Sequence, residues 1–331
     1  MSDKDELNKE NEIDFVNSSF MQIALKKSKR KQTVKYIFIT VITTLILLFV
    51  LFFGNRYILN KRIDDTNEFL FDSIYGANLS VRDESYSYGV LSVTKETTYS
   101  KVIGDRTIVW DTETEKIPLI GRKHMIDKGS GMVEVNSLNK EAKRYVRYNE
   151  YNNERKIDFY YPGLTYDYLP HELDIATDLD KNKLIEVAIS FKKPMTLEEL
   201  RNQLGQKNVN WLWVDTSSKA QMKRMERELH SDHLKTKGGG GAFGFDVSTE
   251  NSLPYPSELG FMNRLEQMSK TGSHKNLIKE ALIGIKENTQ VTDGNIRYNG
   301  AVITGTAEEL KRFKNLNFIR TSVLGATIDK Y

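Results

Sequence analysis

The sequence comprises 331 residues, of which 28% are charged and 39% hydrophobic, and it carries a net charge of +3 and no cysteine. These proportions are typical of a globular protein and exclude a polytopic membrane protein, and the length suffices for roughly two domains. The lack of cysteine excludes disulfide bonds and thiolate-ligated zinc.

One segment departs from this average composition. Residues 36–54 contain no charged side chain, and as a helix they would be about 28 Å long, close to the hydrocarbon thickness of a bilayer. Thr40, Thr43 and Thr44 fit that environment because a helical threonine can bond a backbone carbonyl one turn earlier. A buried core helix would show a polar face, and a signal peptide would end at a small-x-small cleavage site. Neither feature is present, so a transmembrane helix is predicted.

The two flanks of this segment differ in charge. Beyond residue 54, basic residues are soon followed by Asp64 and Asp65, whereas the N-terminal flank is basic and lacks acids. The six membrane-flanking cations are Lys26, Lys27, Lys29, Arg30, Lys31 and Lys35. The positive-inside rule therefore predicts a single-pass cell-membrane protein with a cytoplasmic N-terminus and an extracytoplasmic C-terminal part. The basic flank is expected to contact anionic membrane lipid.

The cytoplasmic tail contains an amphipathic pattern. Ile13, Val16, Phe20 and Ile23 recur at spacings of three, four and three, which places them along one stripe of a short helix. Two interpretations remain open: the stripe lies on the inner leaflet, or it binds a groove in a cytoplasmic protein partner. Acidic residues N-terminal to the stripe favour the protein partner, because anionic lipid would repel them.

The extracytoplasmic part mixes strands and helices. Sequence rich in Val, Thr, Tyr and Ile predicts strands near 88–103 and 106–111. Two later segments each read strand, T-x-E-E-L helix, strand, with capping boxes from Thr196 to Glu199 and from Thr306 to Glu309. They are either an internal duplication or two independent solutions. Further helices are predicted near 218–231, 257–269 and 274–286.

These patterns together predict the fold class. It is a single-pass membrane protein whose extracytoplasmic α+β part packs short capped helices on a mainly antiparallel sheet. The predicted regions are a cytoplasmic tail over 1–35, the transmembrane helix over 36–54, a helical stalk over 55–75, a β-rich region over 76–150 and an α+β domain over 151–331.

Seven tyrosines crowd residues 143–171, at positions 145, 148, 151, 160, 161, 166 and 168. They could form an aromatic surface that stacks on glycan or peptide, or they could cover a sheet and bond through their hydroxyls. The second interpretation is favoured because exposed aromatic rings usually occur singly.

No motif for catalysis, metal binding or cofactor binding stands out. His230 and His233 are three residues apart near the end of a predicted helix, but a metal site needs more ligands than this spacing identifies. The glycine run at 238–241 is not followed by the Lys-Ser or Lys-Thr of a phosphate loop, and a hinge or strand-entry loop is expected there. Gly244 is expected to allow a tight approach between Phe243 and Phe245. We therefore expect a protein that is not an enzyme and has no cofactor.

Several motifs, in their order along the chain, resemble the sigma-factor-regulator family. F-x-x-S-S-F at 15–20 and ALKKSKRK at 24–31, followed by the apolar segment, are similar to its N-terminal module. FYYPGLTYDYLPHEL, EVAISFKKPMTLEEL, WLWVDT, AFGF and GAVITGTAEEL with IRTSVLGATIDKY are similar to its C-terminal module. The resemblance covers about residues 13–53 and 155–331, and no motif matches the β-rich middle.

This resemblance implies a membrane-bound anti-sigma factor of Gram-positive bacteria that sequesters an extracytoplasmic-function sigma factor. The sigma factor would bind on the cytoplasmic side, and the exterior part would sense an envelope signal or ligand of unknown identity. No direct nucleic-acid contact is implied. About 35 cytoplasmic residues offer less than the ~800 Å² per partner of a stable interface, so a second membrane subunit is expected. The alternative is an anchored exterior ligand-binding or envelope-maintenance module with no sigma factor partner.

Overall fold

The computed structural model describes residues 19–64, 71–129, 135–139, 144–228, 232–247, 258–270, 272–289 and 295–331. The chain divides into two units, Met1–Ile58 and Leu59–Tyr331, which are described separately.

The helices in chain order are α1 (Ser19–Asp64), α2 (Leu173–Asp178), α3 (Leu197–Gln203), α4 (Lys219–Glu226), α5 (Glu258–Met268), α6 (Lys275–Asn288) and α7 (Ala307–Leu310). The strands are β1 (Ser80–Tyr88), β2 (Ser92–Ile103), β3 (Arg106–Pro118), β4 (His124–Asp127), β5 (Val135–Asn139), β6 (Arg144–Tyr148), β7 (Asp158–Tyr160), β8 (Lys183–Met195), β9 (Val209–Val214), β10 (Thr236–Gly238), β11 (Gly244–Asp246), β12 (Tyr298–Thr306) and β13 (Ile319–Asp329).

The described part of the first unit is the helix α1, which continues through Ile58 as far as Asp64 and has 46 residues in all. It is long and apolar enough to cross a membrane by length and composition. Two threonines behave as the sequence predicts: Thr40 Oγ1 donates to the carbonyl of Tyr36 at 2.8 Å, and Thr43 Oγ1 donates to the carbonyl of Ile39 at 3.0 Å. These bonds satisfy polar groups inside the apolar segment.

The second unit begins with an antiparallel sheet in the order β1-β2-β3-β4. The two predicted strands are confirmed as β2 and β3, which pair as a hairpin from Ser92 with Pro118 to Ile103 with Arg106, so β3 extends beyond the predicted end at residue 111. Strand β2 starts at Ser92 rather than residue 88, because the Gly89 N–H donates to the Ser92 carbonyl and closes a turn. Strand β1 was not predicted, since its polar sequence SVRDESYSY is largely exposed and gives no hydrophobic alternation.

The larger sheet has the order β11-β9-β12-β8-β13, with every neighbouring pair antiparallel. The predicted unit β8-α3-β9 passes over β12, and the unit β12-α7-β13 passes over β8, so the two units interleave. This is the split β-α-β arrangement of ferredoxin-like folds, extended by β11. The fold is therefore a mainly antiparallel sheet domain with short helices, as predicted.

Both predicted capping boxes are present. Glu199 N–H donates to Thr196 Oγ1 at 3.2 Å while Thr196 N–H donates to Glu199 Oε2 at 2.7 Å, and Thr306 and Glu309 form the same pair of bonds. A third box, Ser218 with Gln221, starts α4. These boxes satisfy backbone donors that the first turn of a helix leaves without intrahelical partners.

The other predicted helices agree in position and differ at their ends. Helices α5 and α6 match the predictions near 257–269 and 274–286. Helix α4 ends at Glu226, several residues before the predicted end at 231.

The predicted stalk over 55–75 is helical through Asp64, and residues 65–70 lie outside the described part. After these residues, Phe71 and Ile74 are buried in the core of the second unit. The Phe71 ring stacks on the rings of Tyr75 and His274.

A buried ion pair joins the two sheets. Lys101 Nζ on β2 lies 2.8 Å from Glu186 Oε2 on β8, with side chains 3% and 0% exposed. Asn78 Nδ2 also donates to Glu186, and Lys101 Nζ lies 3.8 Å from the centre of the Trp110 ring. A buried charge is tolerated only when it is paired and hydrogen-bonded, so β2 and β8 must stay in contact.

Removing one partner of this pair should be costly. Lys101→Met or Glu186→Gln leaves a buried group without its partner, and each is expected to reduce the free energy of unfolding by about 3–5 kcal/mol. The double variant should lose less than the sum of the two. Thermal unfolding of the full chain in detergent measures this.

The matched control is Lys183→Met, which removes an exposed ion pair to Asp329 and should change stability little. Additive losses in the Lys101 and Glu186 double variant would contradict a direct coupling between them.

Candidate functional site

Two of the four predicted partner-binding residues lie in the described structure. Phe20 and Ile23 stand at the start of α1, with side chains 83% and 64% exposed. Ile13 and Val16 lie outside the described residues, so the stripe as a whole stays a prediction. Large apolar side chains exposed on a helix are able to enter a groove of a partner protein.

The six predicted flank cations lie on the same helix. Lys26, Lys27, Lys29, Arg30, Lys31 and Lys35 are all exposed between Ile23 and the apolar segment. From Ser19 onward, the predicted tail helix and the predicted transmembrane helix are therefore parts of one helix. Their contact with lipid stays a prediction.

The C-terminal turns of α1, from Leu59 onward, belong to the second unit and pack on the first sheet. Leu59 is 1% exposed and clusters with Val93 and Ile117. The Arg62 guanidinium donates to the carbonyl oxygens of Leu119, at 3.2 Å, and Gly121, at 2.7 Å. This end of the helix thus contacts strands β2 and β3 through apolar side chains, and it binds the loop after β3 through the hydrogen bonds of Arg62.

A cavity of about 570 Å³ opens where the first sheet meets the glycine run of residues 238–241. Its described wall contains four aromatic rings, from Phe71, Tyr75, Tyr99 and Trp110, besides both basic and acidic side chains. Lys101 of the buried ion pair lines the same space. The volume lies in the range of small-molecule sites, and a mixed charged and aromatic wall suits an amphipathic ligand.

The tyrosine-rich region does not form one aromatic surface. Tyr160 and Tyr161 are 3% and 6% exposed, and the Tyr166 hydroxyl donates to the carbonyl of Lys235 at 3.0 Å. Tyr145 and Tyr151 are exposed. The favoured interpretation, that about half of these residues cover a sheet, is confirmed.

The glycine run is a strand-entry segment. Gly238 ends β10, residues 239–241 form one 3₁₀ turn, and Gly244 starts β11. A side chain at Gly244 would collide with the carbonyl of Leu212 and the ring of Trp211, so this glycine permits close pairing with β9. The expected role of Gly244 between Phe243 and Phe245 is therefore corrected: the tight approach is to the neighbouring strand.

The described residues contain no group of His, Asp and Glu able to hold a metal ion. His233 belongs to a short 3₁₀ turn, Asp232–Leu234, and not to α4, and its ring contacts Tyr145 edge-to-face. His230 lies outside the described residues.

Asp215 is the carboxyl group whose environment is most relevant to pH. Burial raises the pKa of Asp215 from 3.8 to about 6, against the opposing effect of hydrogen bonds from the Asn299 side chain and the Ser217 backbone N–H. Asn299 Oδ1 is a buried acceptor without a hydrogen-bond partner.

Comparison with known protein families gives two matches, one in the N-terminal part of the chain and one in the C-terminal part. A family model described as sigma factor regulator N-terminal matches residues 22–108, and one described as sigma factor regulator C-terminal matches residues 177–326. The chain belongs to the sigma factor regulator family. No curated protein and no solved structure matches the chain.

The matched ranges differ from the expected extent of the resemblance. The sigma factor regulator N-terminal region continues past the apolar segment and includes β1, β2 and the start of β3, which the sequence motifs did not cover. Lys101 lies in the N-terminal region and Glu186 in the C-terminal region, so the buried ion pair joins the two parts of the family architecture. No sequence motif predicts this ion pair, because Lys101 and Glu186 are far apart in the chain.

Membership in this family supports an anti-sigma factor role in general, with a sigma factor as partner and a regulatory rather than a catalytic activity. The single apolar helix fits a single-pass membrane anchor.

The raised pKa of Asp215 gives a stability prediction. Because the folded-state pKa exceeds the unfolded value, the stability contributed by the neutral acid is present below pH 4 and is lost as the pH rises to about 6. Asp215→Asn should therefore be more stable than the wild type at pH 7, by up to about 3 kcal/mol, and should lose this advantage below pH 4.

Thermal unfolding from pH 4 to pH 8 measures the difference. The control Asp178→Asn replaces an exposed carboxylate and should follow the wild-type profile. An unchanged or lowered stability of Asp215→Asn at pH 7 would show that the ionised carboxylate is needed.

Proposed function

We propose that the protein is a membrane-bound anti-sigma factor that holds an extracytoplasmic-function sigma factor at the cytoplasmic face of the membrane. Family membership supports a sigma factor as the binding partner. The asymmetric charge on the two sides of the apolar helix supports the cytoplasmic position of the N-terminus. The single observation that carries the proposal is the match of both family regions in one chain, in which the N-terminal region contains the apolar helix.

The sigma factor contact is proposed to be the stripe of Ile13, Val16, Phe20 and Ile23. Phe20 and Ile23 lie one turn apart on α1, and their exposed apolar surface has no other described role. Exposure of apolar side chains to water is unfavourable, and binding in a hydrophobic groove of a partner protein would remove these side chains from water. The basic flank that follows would remain at the lipid headgroups.

A second membrane subunit is part of the proposal. A stable protein–protein interface needs roughly 800 Å² from each partner. A neighbouring membrane protein that contributes further surface would complete the sigma factor site.

The exterior unit is proposed to report an envelope signal through α1. The helix end at Leu59 and Arg62 is bound to β2 and β3, and β2 is bound to β8 by the buried ion pair. A ligand that changes the packing between the sheets would therefore act on the strands that hold the helix.

The cavity of about 570 Å³ also favours the second candidate, an anchored exterior ligand-binding module without a sigma factor. The two candidates differ in one observation. Co-purification of a sigma factor with the full chain supports the first, and its absence from every preparation in which the chain is intact supports the second.

Charge substitutions on the stripe test the contact. Phe20→Asp and Ile23→Asp should each weaken sigma factor binding by on the order of tenfold or more and raise transcription of the target regulon, because each places a carboxylate in an apolar groove. Gln22→Asp adds the same charge on another face of the helix and is the matched control. Binding is measured by co-purification, and transcription by a reporter.

Deletion of residues 1–25 sets the upper limit of derepression. If the deletion leaves transcription unchanged, or if Gln22→Asp acts as strongly as the two stripe variants, the proposed contact is wrong.

A further inference from the structure

Lys237 is a partly buried base that the fold and the proposed function leave unexplained. It lies on β10, where its backbone pairs with Phe159, and its side chain lines a cavity of about 220 Å³. Within the described part of the chain, the Lys237 ammonium forms no ion pair or hydrogen bond. Burying a charge without a partner is unfavourable, so an unpaired lysine of this kind marks a candidate binding site.

The neighbouring Lys235 shows the contrast. Its side chain is 9% exposed, lies 3.4 Å from Asp232 and donates to the carbonyl of Thr165 at 2.6 Å. Among the described residues, the fold thus supplies partners to the buried Lys235 and none to the partly buried Lys237. Burial lowers the pKa of Lys237, and no neighbouring carboxylate opposes that effect.

The cavity has the composition of a small polar site. It lies between α4, β10 and α6, and its wall includes the exposed Arg224, the polar side chains of Thr216, Ser217 and Gln221, and the acid Glu280. The Gln221 amide faces Glu280 at 3.4 Å. Two cations and one engaged carboxylate leave the site with a net positive charge, which favours an anion.

A second polar group without a partner lies close to Lys237. A Cβ added to Gly241 would lie 3.6 Å from Lys237 Nζ and 3.5 Å from Tyr75 Oη, so the two groups flank the same glycine. The Tyr75 hydroxyl has no hydrogen bond within the described residues. The absence of a side chain at Gly241 leaves room between the ammonium and the hydroxyl.

We propose that Lys237, with Arg224 at the cavity mouth and the Tyr75 hydroxyl beyond Gly241, binds the oxyanion group of a small exterior ligand, a phosphate or a carboxylate. The volume accommodates a small anion or a single headgroup and is below that of drug-sized sites. An anion here would supply the partner that Lys237 lacks. Lys237 directly precedes the glycine run that lines the larger cavity, so the two cavities lie next to each other along the chain.

The test measures thermal unfolding of the purified full chain in a maltoside detergent. Sodium chloride, inorganic phosphate, acetate and short-chain phosphatidic acid are compared at equal ionic strength and pH. The wild type should gain about 5 °C or more with at least one of the three oxyanions relative to chloride, as expected for a ligand that binds the folded state. A larger gain with phosphatidic acid than with inorganic phosphate would assign the oxyanion to a lipid, and the reverse to a soluble molecule.

Lys237→Met decides whether the effect is due to this site. The variant should unfold at the same or a higher temperature than the wild type in chloride, because it removes a partly buried charge that has no partner among the described residues, and it should lose the oxyanion-dependent gain. Lys223→Met removes an exposed charge from the same helix as Arg224 and should retain the gain. A lower unfolding temperature of Lys237→Met in chloride would indicate a structural charge and overturn the proposal.

Amine labelling followed by mass spectrometry gives an independent readout. Saturating oxyanion should reduce the labelling rate of Lys237 severalfold while leaving that of Lys223 unchanged. No oxyanion-dependent gain in the wild type, or an equal gain in Lys237→Met, overturns the site. Neither outcome affects the anti-sigma proposal, whose experiments do not involve Lys237.

Discussion

The architecture of the second unit depends on the buried contact between Lys101 and Glu186. The Glu186 carboxylate on β8 accepts hydrogen bonds from the Lys101 ammonium on β2 and from the Asn78 side-chain amide. It therefore holds β2 and the segment before β1 against the second sheet. Neither charge can be exposed to water without separating the sheets, and neither can remain buried alone without a penalty of several kcal/mol. The contact therefore constrains the geometry of the interface between the sheets.

This constraint extends in two directions. Toward the N-terminus, β2 and β3 form the surface on which Leu59 and Arg62 hold the end of α1. Toward the C-terminus, Glu186 lies on β8, which pairs with both β12 and β13 in the interleaved sheet. Strand β2 therefore contacts both the end of α1 and, through the ion pair, the second sheet. The larger cavity lies at that interface, and the proposed anion site borders it.

The sequence was sufficient for features that depend on neighbouring residues. The apolar segment, the strands β2 and β3 and the two capping boxes are each encoded by residues that are close together in the chain, and the structure contains each of them. Strand β1 escaped prediction because its exposed residues give no apolar alternation. Strands β10 and β11 are only three residues long, and their pairing with β7 and β9 depends on partners distant in the chain. The pairing of Lys101 with Glu186 likewise depends on the tertiary structure, as does the lack of a partner for Lys237 among the described residues. No local pattern of residue types would have identified either feature.

The proposed function requires that the segment before the apolar helix faces the cytoplasm while the large folded unit faces outward. The lack of cysteine allows a direct measurement with single-cysteine variants. Ser28→Cys places a thiol among the basic flank residues, and Ile283→Cys places one on the exposed surface of α6. A membrane-impermeant maleimide added to intact cells should label Ile283→Cys readily and Ser28→Cys only after permeabilisation. Labelling of Ser28→Cys in intact cells, with Ile283→Cys protected, would contradict the account.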